Sequence, residues 1–253
     1  MTNKLIDHPA VVRVLYYPRP GGGFSLAAKP VLIEVEPGVS IGGYLHPAGK
    51  DAPAILFFHG NGEIADDYGD IAQAYTRLGL TFLVVDYRGY GQSGGRPSGS
   101  NQLSDAVAIF EALDGVFMPH ALQPDRIYVM GRSLGSASAI EVAAHAGDRL
   151  AGLILESGFA DTLALIELLG GPVVAGDDAQ IGFGNAAKMR RISIPTLIIH
   201  GEWDNLIPAS EGRTLYEQGA AHDKRLVLIP RAGHNDLMIV GLPRYFAAIA
   251  EFI

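Results

Sequence analysis

Six short apolar runs constrain this chain more than any other feature. AILFF (54–58), TFLVV (81–85), RIYVM (126–130), GLILE (152–156), TLIIH (196–200) and RLVLI (225–229) recur along it, separated by segments of helical period. A strand with one wet face alternates apolar and polar residues, because successive side chains point to opposite faces. A run that is apolar at every position has two faces to bury, and helices on both sides of a parallel sheet provide the cover. With 253 residues the chain is large enough to bury such a sheet in a single core. No fixed-period repeat or low-complexity linker divides it, so the expectation is one α/β domain over 1–253. Upstream, Val31–Val35 and Ile41–Leu45 flank a Glu-Pro-Gly-Val-Ser turn signal and read as a hairpin. VVRVLYY (11–17) reads as a further edge strand, running into a flexible loop PRPGGG (18–23).

Charge narrows the partners. A formal net charge of -8 disfavours nucleic acid and anionic membranes, both of which select clustered Lys and Arg. The chain has no cysteine, which removes disulfides, thiolate metal sites and cysteine nucleophiles together. MTNKLIDHPAVVRVLYYPRP lacks the apolar core and cleavage site of a signal peptide, and no apolar run is long enough to span a bilayer. The reading is a soluble, cytoplasmic protein without integral membrane association.

Gly-x-Ser-x-Gly occurs twice, around Ser93 and around Ser133, and with 32 glycines chance matches are easy. A nucleophilic serine of this type needs a buried strand, a sharp turn and a helix opening at the serine. Arg126–Met130 followed by SLGSASAIEVAAHAG meets that need around Ser133. Around Ser93 the strand TFLVVD runs into GYGQSGGRPSGS, where Pro97 and the glycines delay any helix to about Gln102. The same loop matches Gly-x-Gly-x-x-Gly, but a pyrophosphate site needs a helix opening on the last glycine, so no nucleotide cofactor is expected.

A serine hydroxyl needs a base, the base needs an orienting carboxylate, and the oxyanion needs amide donors. In the Ser–acid–His order, Asp204 follows TLIIH and His234 follows RLVLI. Glu202 is the rival acid, and Asp204 is preferred on reach. His59 and His200, at strand ends, read as structural hydrogen-bonders. The Leu134 amide, just after the serine, supplies one oxyanion donor. The second comes from the glycine-rich turn after AILFF, from Asn61 or alternatively Gly62. No metal or organic cofactor is called for, since the chain has no His-Glu-x-x-His and no cysteine cluster.

The blocks FFHGNG (57–62), VVDYRGYGQSGG (84–95), GRSLGSA (131–137), ESGF (156–159), IIHGEWDNLIP (198–208) and AGHND (232–236) resemble those of the α/β-hydrolases. Within that superfamily the chain is most similar to the bud-emergence-type hydrolases and the protein-depalmitoylating serine hydrolases. The resemblance implies an eight-stranded, mostly parallel sheet flanked by helices, with an antiparallel second strand; the interval between GLILE and TLIIH in this sequence leaves only a minimal cap. It also implies Ser133, Asp204 and His234 as a triad, with Asp86 and Arg88 as structural residues around the site.

The cap interval, about 160–192, holds one apolar helix candidate, Thr162–Leu169, and a glycine-broken loop. Leu165, Leu168, Leu169 and Val173 either cover an acyl chain or form the core face of a sheet-covering helix. Trp203 lines the mouth or merely packs, and Glu63 adds negative charge there. The expectation is a serine hydrolase acting on small-molecule esters of short or medium acyl groups. A thioesterase or peptidase of the same fold, or a non-catalytic binding module, is the alternative.

Overall fold

The computed structural model describes residues 5–21, 28–173 and 176–253. Among them the strands are β1 (Lys29–Glu36), β2 (Val39–His46), β3 (Ala54–Phe58), β4 (Thr81–Val85), β5 (Ile127–Arg132), β6 (Gly152–Glu156), β7 (Thr196–Gly201) and β8 (Lys224–Ile229). The helices are α1 (Pro9–Leu15), α2 (Gly69–Arg77), α3 (Gly99–Glu111), α4 (Leu113–Phe117), α5 (Gly135–Ala146), α6 (Thr162–Leu168), α7 (Asp178–Ile181), α8 (Asn185–Met189), α9 (Ala209–Gln218) and α10 (Leu237–Phe252). The strands form one eight-stranded sheet in the order β1-β2-β4-β3-β5-β6-β7-β8. β1, β2 and β4 pair antiparallel, and the remaining pairs are parallel.

The six runs are six of these strands, and β3, β4, β6 and β7 are buried at every residue. Alternation persists, but it now selects between two cores. Leu56 and Phe58 of β3 face one apolar layer with α1, α3, α5 and α6, while Ile55 and Phe57 face the other with α2 and α10. The predicted hairpin is β1–β2, and Arg88 ties it down with a bond to Glu36 and a two-pronged grip on Asp105. α3 opens at Gly99, earlier than Gln102, because the Ser98 hydroxyl accepts from the Asn101 amide and caps it.

VVRVLYY is not an edge strand: Val11–Leu15 lies in α1, with Tyr16 just past its end. Its β-branched residues favour strand, but Pro9 at the first helical positions and a His8 ring nitrogen accepting from the Ala10 amide start a helix. Val11 and Leu15, four apart, then bury one side of it. In the following loop Pro20 bridges to Gly91, and Gly22 and Gly23 lie outside the described residues. Among the described residues no helix is long and apolar enough to cross a membrane.

Candidate active site

β5 turns into α5 through Ser133, whose φ of 52° is strained for a residue with a side chain. The turn is tight enough to dictate its neighbours. A Cβ on Gly131 would sit 2.2 Å from the Gly135 carbonyl oxygen, and one on Gly135 would sit 2.1 Å from the Phe58 carbonyl oxygen. Both obstacles are backbone, so the two glycines are steric requirements of this elbow. Ser93 serves the scaffold instead, since its hydroxyl accepts from the Gly42 amide at 2.9 Å and pins the hairpin.

The loops after β7 and β8 bring two partners to Ser133. The Ser133 Oγ lies 2.9 Å from His234 Nε2, and His234 Nδ1 lies 2.7 Å from Asp204 Oδ2. All three residues are buried. The other oxygen of Asp204 accepts from the Leu206 and Ile207 amides at 3.0 and 2.8 Å. His200 Nε2 stands 3.4 Å from Oδ2 and 2.8 Å from the Ile207 carbonyl oxygen. Burial opposes ionisation of Asp204, but hydrogen bonds from His200, His234 and the Ile207 amide outweigh it and hold the carboxyl well below the usual range. The rival Glu202 is exposed. The chain of contacts can pass a hydroxyl proton to an imidazole whose cationic form is met by a fixed carboxylate.

Leu134 caps α5, and neither its N–H nor that of Asn61 donates to a described residue. The Asn61 side chain is anchored through its Oδ1, which accepts from the Tyr17 amide and the Tyr90 hydroxyl, both at 2.9 Å. That anchorage fixes the turn on which its backbone amide lies. Gly62, the alternative, has its carbonyl held by Arg19 and does not line the pocket. His59 bridges to Asp86, which also receives the Ala65 amide, and so supports the same turn.

Ser133, Leu134, Asn61 and His234 open on a pocket of about 160 Å³. Leu165 and Leu169, one turn apart on and just beyond α6, form part of its apolar wall. Leu165 also belongs to the core, so both readings of this segment hold at one residue. Leu168 and Val173 face outward, 50% and 76% exposed. Trp203, 64% exposed, does not line the pocket either; only its backbone matters, donating to the Ala232 carbonyl and joining the Asp204 and His234 loops. Glu63 adds no free charge at the mouth, since it pairs with Arg132 and accepts from the Tyr68 hydroxyl.

Two residues at the site escape a reading of the sequence. Leu15 of α1 completes the apolar wall. Arg132, between the elbow glycine and the serine, reaches Glu63, Glu156 and the His234 loop. A charged residue closing an apolar strand is the only local sign of it.

An eight-stranded sheet with an elbow serine after β5, an acid after β7 and a histidine after β8 defines a serine-hydrolase-type α/β-hydrolase. The chain belongs to the family described as serine aminopeptidase, S33, whose model matches residues 49–166 and 184–238. It is 33% identical over 249 residues to the protein Rv2307c of Mycobacterium tuberculosis, covering 95% of this chain and 86% of that one. It is 30% identical over 210 residues to the protein bem46 of Schizosaccharomyces pombe, covering 81% and 68%. This is the bud-emergence-type branch read from the six blocks. The esterase Pf2001 of Pyrococcus furiosus shares the fold with a TM-score of 0.75 and 21% identity, over 94% of this chain and 97% of that one.

Proposed function

We propose that this protein is a serine esterase that cleaves carboxylic esters of small molecules with short or medium acyl groups. One observation carries the reading: an unbroken Ser133–His234–Asp204 contact chain at the floor of a small apolar pocket. Ser133 Oγ attacks the ester carbonyl and gives its proton to His234 Nε2. The Leu134 and Asn61 amides hold the oxyanion. The C–O bond then breaks, the alcohol leaves with the His234 proton, and water repeats the sequence on the acyl-serine.

Pocket size supports the acyl-length limit. The space beside Ser133, walled by Leu15, Leu165 and Leu169, is about 160 Å³. A short acyl group fills that space, and a long one must leave it. Within the interval 160–192, of which residues 174 and 175 lie outside the described residues, α6 then acts as a small lid. The solved relative Pf2001 is described as an esterase, in keeping with this choice of bond. The family description, a serine aminopeptidase, favours the amide bond as the second reading.

A panel of p-nitrophenyl esters of increasing chain length, with acyl thioesters and aminoacyl amides beside it, tests the reading. Short esters are expected to give the highest kcat/KM. A fluorophosphonate probe is expected to label Ser133, and Ser133→Ala to abolish labelling and turnover alike. An unlabelled parent protein with no turnover on any panel member rejects catalysis at this site.

A further inference from the structure

We propose that Arg132 is a positioning residue for the reaction, a strut that clamps the turn carrying Asn61 to the loop carrying His234. The inference rests on the serine-hydrolase reading above. Each arm of the guanidinium goes to a different part of the site. Nη1 pairs with Glu63 Oε1. Glu63 Oε2 in turn accepts from the Gly60 amide at 2.6 Å and the Tyr68 hydroxyl at 2.6 Å, fixing the 60–63 turn that presents the Asn61 amide. Nη2 donates to the His234 carbonyl oxygen at 3.0 Å and to Asn235 Oδ1 at 2.9 Å, fixing the loop that presents the base. Nε donates to Glu156 Oε1 at 3.1 Å, and Tyr245 holds the other Glu156 oxygen at 2.6 Å.

Arg132 thus sits one residue from the nucleophile and binds both neighbouring catalytic loops at once. The approach is close: a Cβ on Gly60 would lie 2.6 Å from Nη1. The planar guanidinium meets these directions together, whereas a lysine ammonium on its flexible stem is a single point of charge. Without the strut, nothing among these bonds sets the distance between oxyanion donor and base, and small errors of placement are expensive in rate.

The far side of the strut borders a groove of about 680 Å³ between α2 and α10, lined in part by Glu63, Arg132, Glu156 and His234. A free guanidinium ion can reach the strut from there, which makes chemical rescue practical. Arg132→Lys is expected to lower kcat about 10- to 100-fold with KM within about threefold. The pair Arg132→Ala with Glu156→Gln removes the strut without stranding a buried carboxylate, and guanidinium chloride in the millimolar range should raise its kcat about fivefold or more. A residue that merely supports the fold would show a guanidinium effect in Tm and none in kcat. Glu63→Ala cuts the same strut from its more exposed end, so it tests the idea even if the double variant does not fold. Its kcat is expected to fall about tenfold, and its effect should not add to that of Arg132→Lys.

Folded variants with kcat within about threefold of the parent, a loss that falls on KM alone, or a double variant that guanidinium leaves unchanged each overturn the strut. A parent that is neither active nor labelled at Ser133 overturns the reading of the site itself, and the strut with it. An active, labelled parent with unaffected variants overturns only the strut.

Discussion

Asp204 lies between two imidazoles, and one rather than both faces the serine. Its depressed pKa means that the carboxylate persists through the acid range in which a histidine base takes up its proton. Asp204 therefore adds nothing to the acid limb of kcat/KM. Protonation of an imidazole base fills the lone pair that receives the serine proton, so kcat/KM falls with falling pH. Activity unchanged from neutral pH down to about pH 4 would overturn the role of an imidazole as base. Asp204→Asn should lower kcat by about 10⁴ at neutral pH while leaving the protein folded, as loss of the orienting carboxylate does in such triads. Single-turnover and steady-state rates on a short-chain ester measure it. At this scale the sequence is legible wherever a residue's role depends on its own segment. Ser133 can be told from Ser93 because a strand lies before both and a helix opens directly after only one. Arg132 cannot be read, because the partners that give it meaning lie at 63, 156, 234 and 235.

Elements are legible where burial is two-sided. β3, β4, β6 and β7 are each built on three to five consecutive apolar residues and are buried throughout, so the local pattern and the tertiary environment agree. α1 goes the other way, since its valines favour strand while its proline, its cap and its packing require helix. Reading it as a strand hides a functional wall. Leu15 is 1% exposed and shares the catalytic pocket with Leu165 and Leu169. α1 also lies outside the stretch matched by the family model, so this wall is specific to a segment the shared motifs do not describe. Leu15→Ala should cost about 2–5 kcal/mol of stability, as other buried Leu truncations do. It should also enlarge the pocket and move the chain-length optimum of the ester panel upward. Urea unfolding measures the first effect and kcat/KM across the panel the second. An unchanged optimum in a destabilised variant would separate α1 from substrate selection and leave it a packing element.

Across the whole molecule, two buried carboxylates push the pH dependence of stability in opposite directions. Asp204 has a depressed folded pKa, so its contribution is present above the ordinary aspartate value of ~3.9 and is lost as pH falls through the folded value. Glu156 is the reverse: burial raises its pKa, and Arg132 and the Tyr245 hydroxyl offset only part of that. Its contribution is present below the ordinary glutamate value of ~4.3 and is lost as pH rises through the raised one. One group thus destabilises the fold in acid and the other toward neutrality, and removal of each should flatten a different side of the curve. The Asp204 side chain is fully buried, and proton uptake by the unfolded chain between about pH 5 and pH 3 corresponds to a loss on the order of 1 kcal/mol. Asp204→Asn should lack that loss, and its unfolding free energy should run flatter than the parent's from pH 5 to 3. Glu156→Gln should keep the acid loss and instead lack the decline on the neutral side. Urea denaturation at a series of pH values separates the two. If Asp204→Asn runs parallel to the parent throughout the acid range, the carboxylate is not held by the His200, His234 and Ile207 contacts as described.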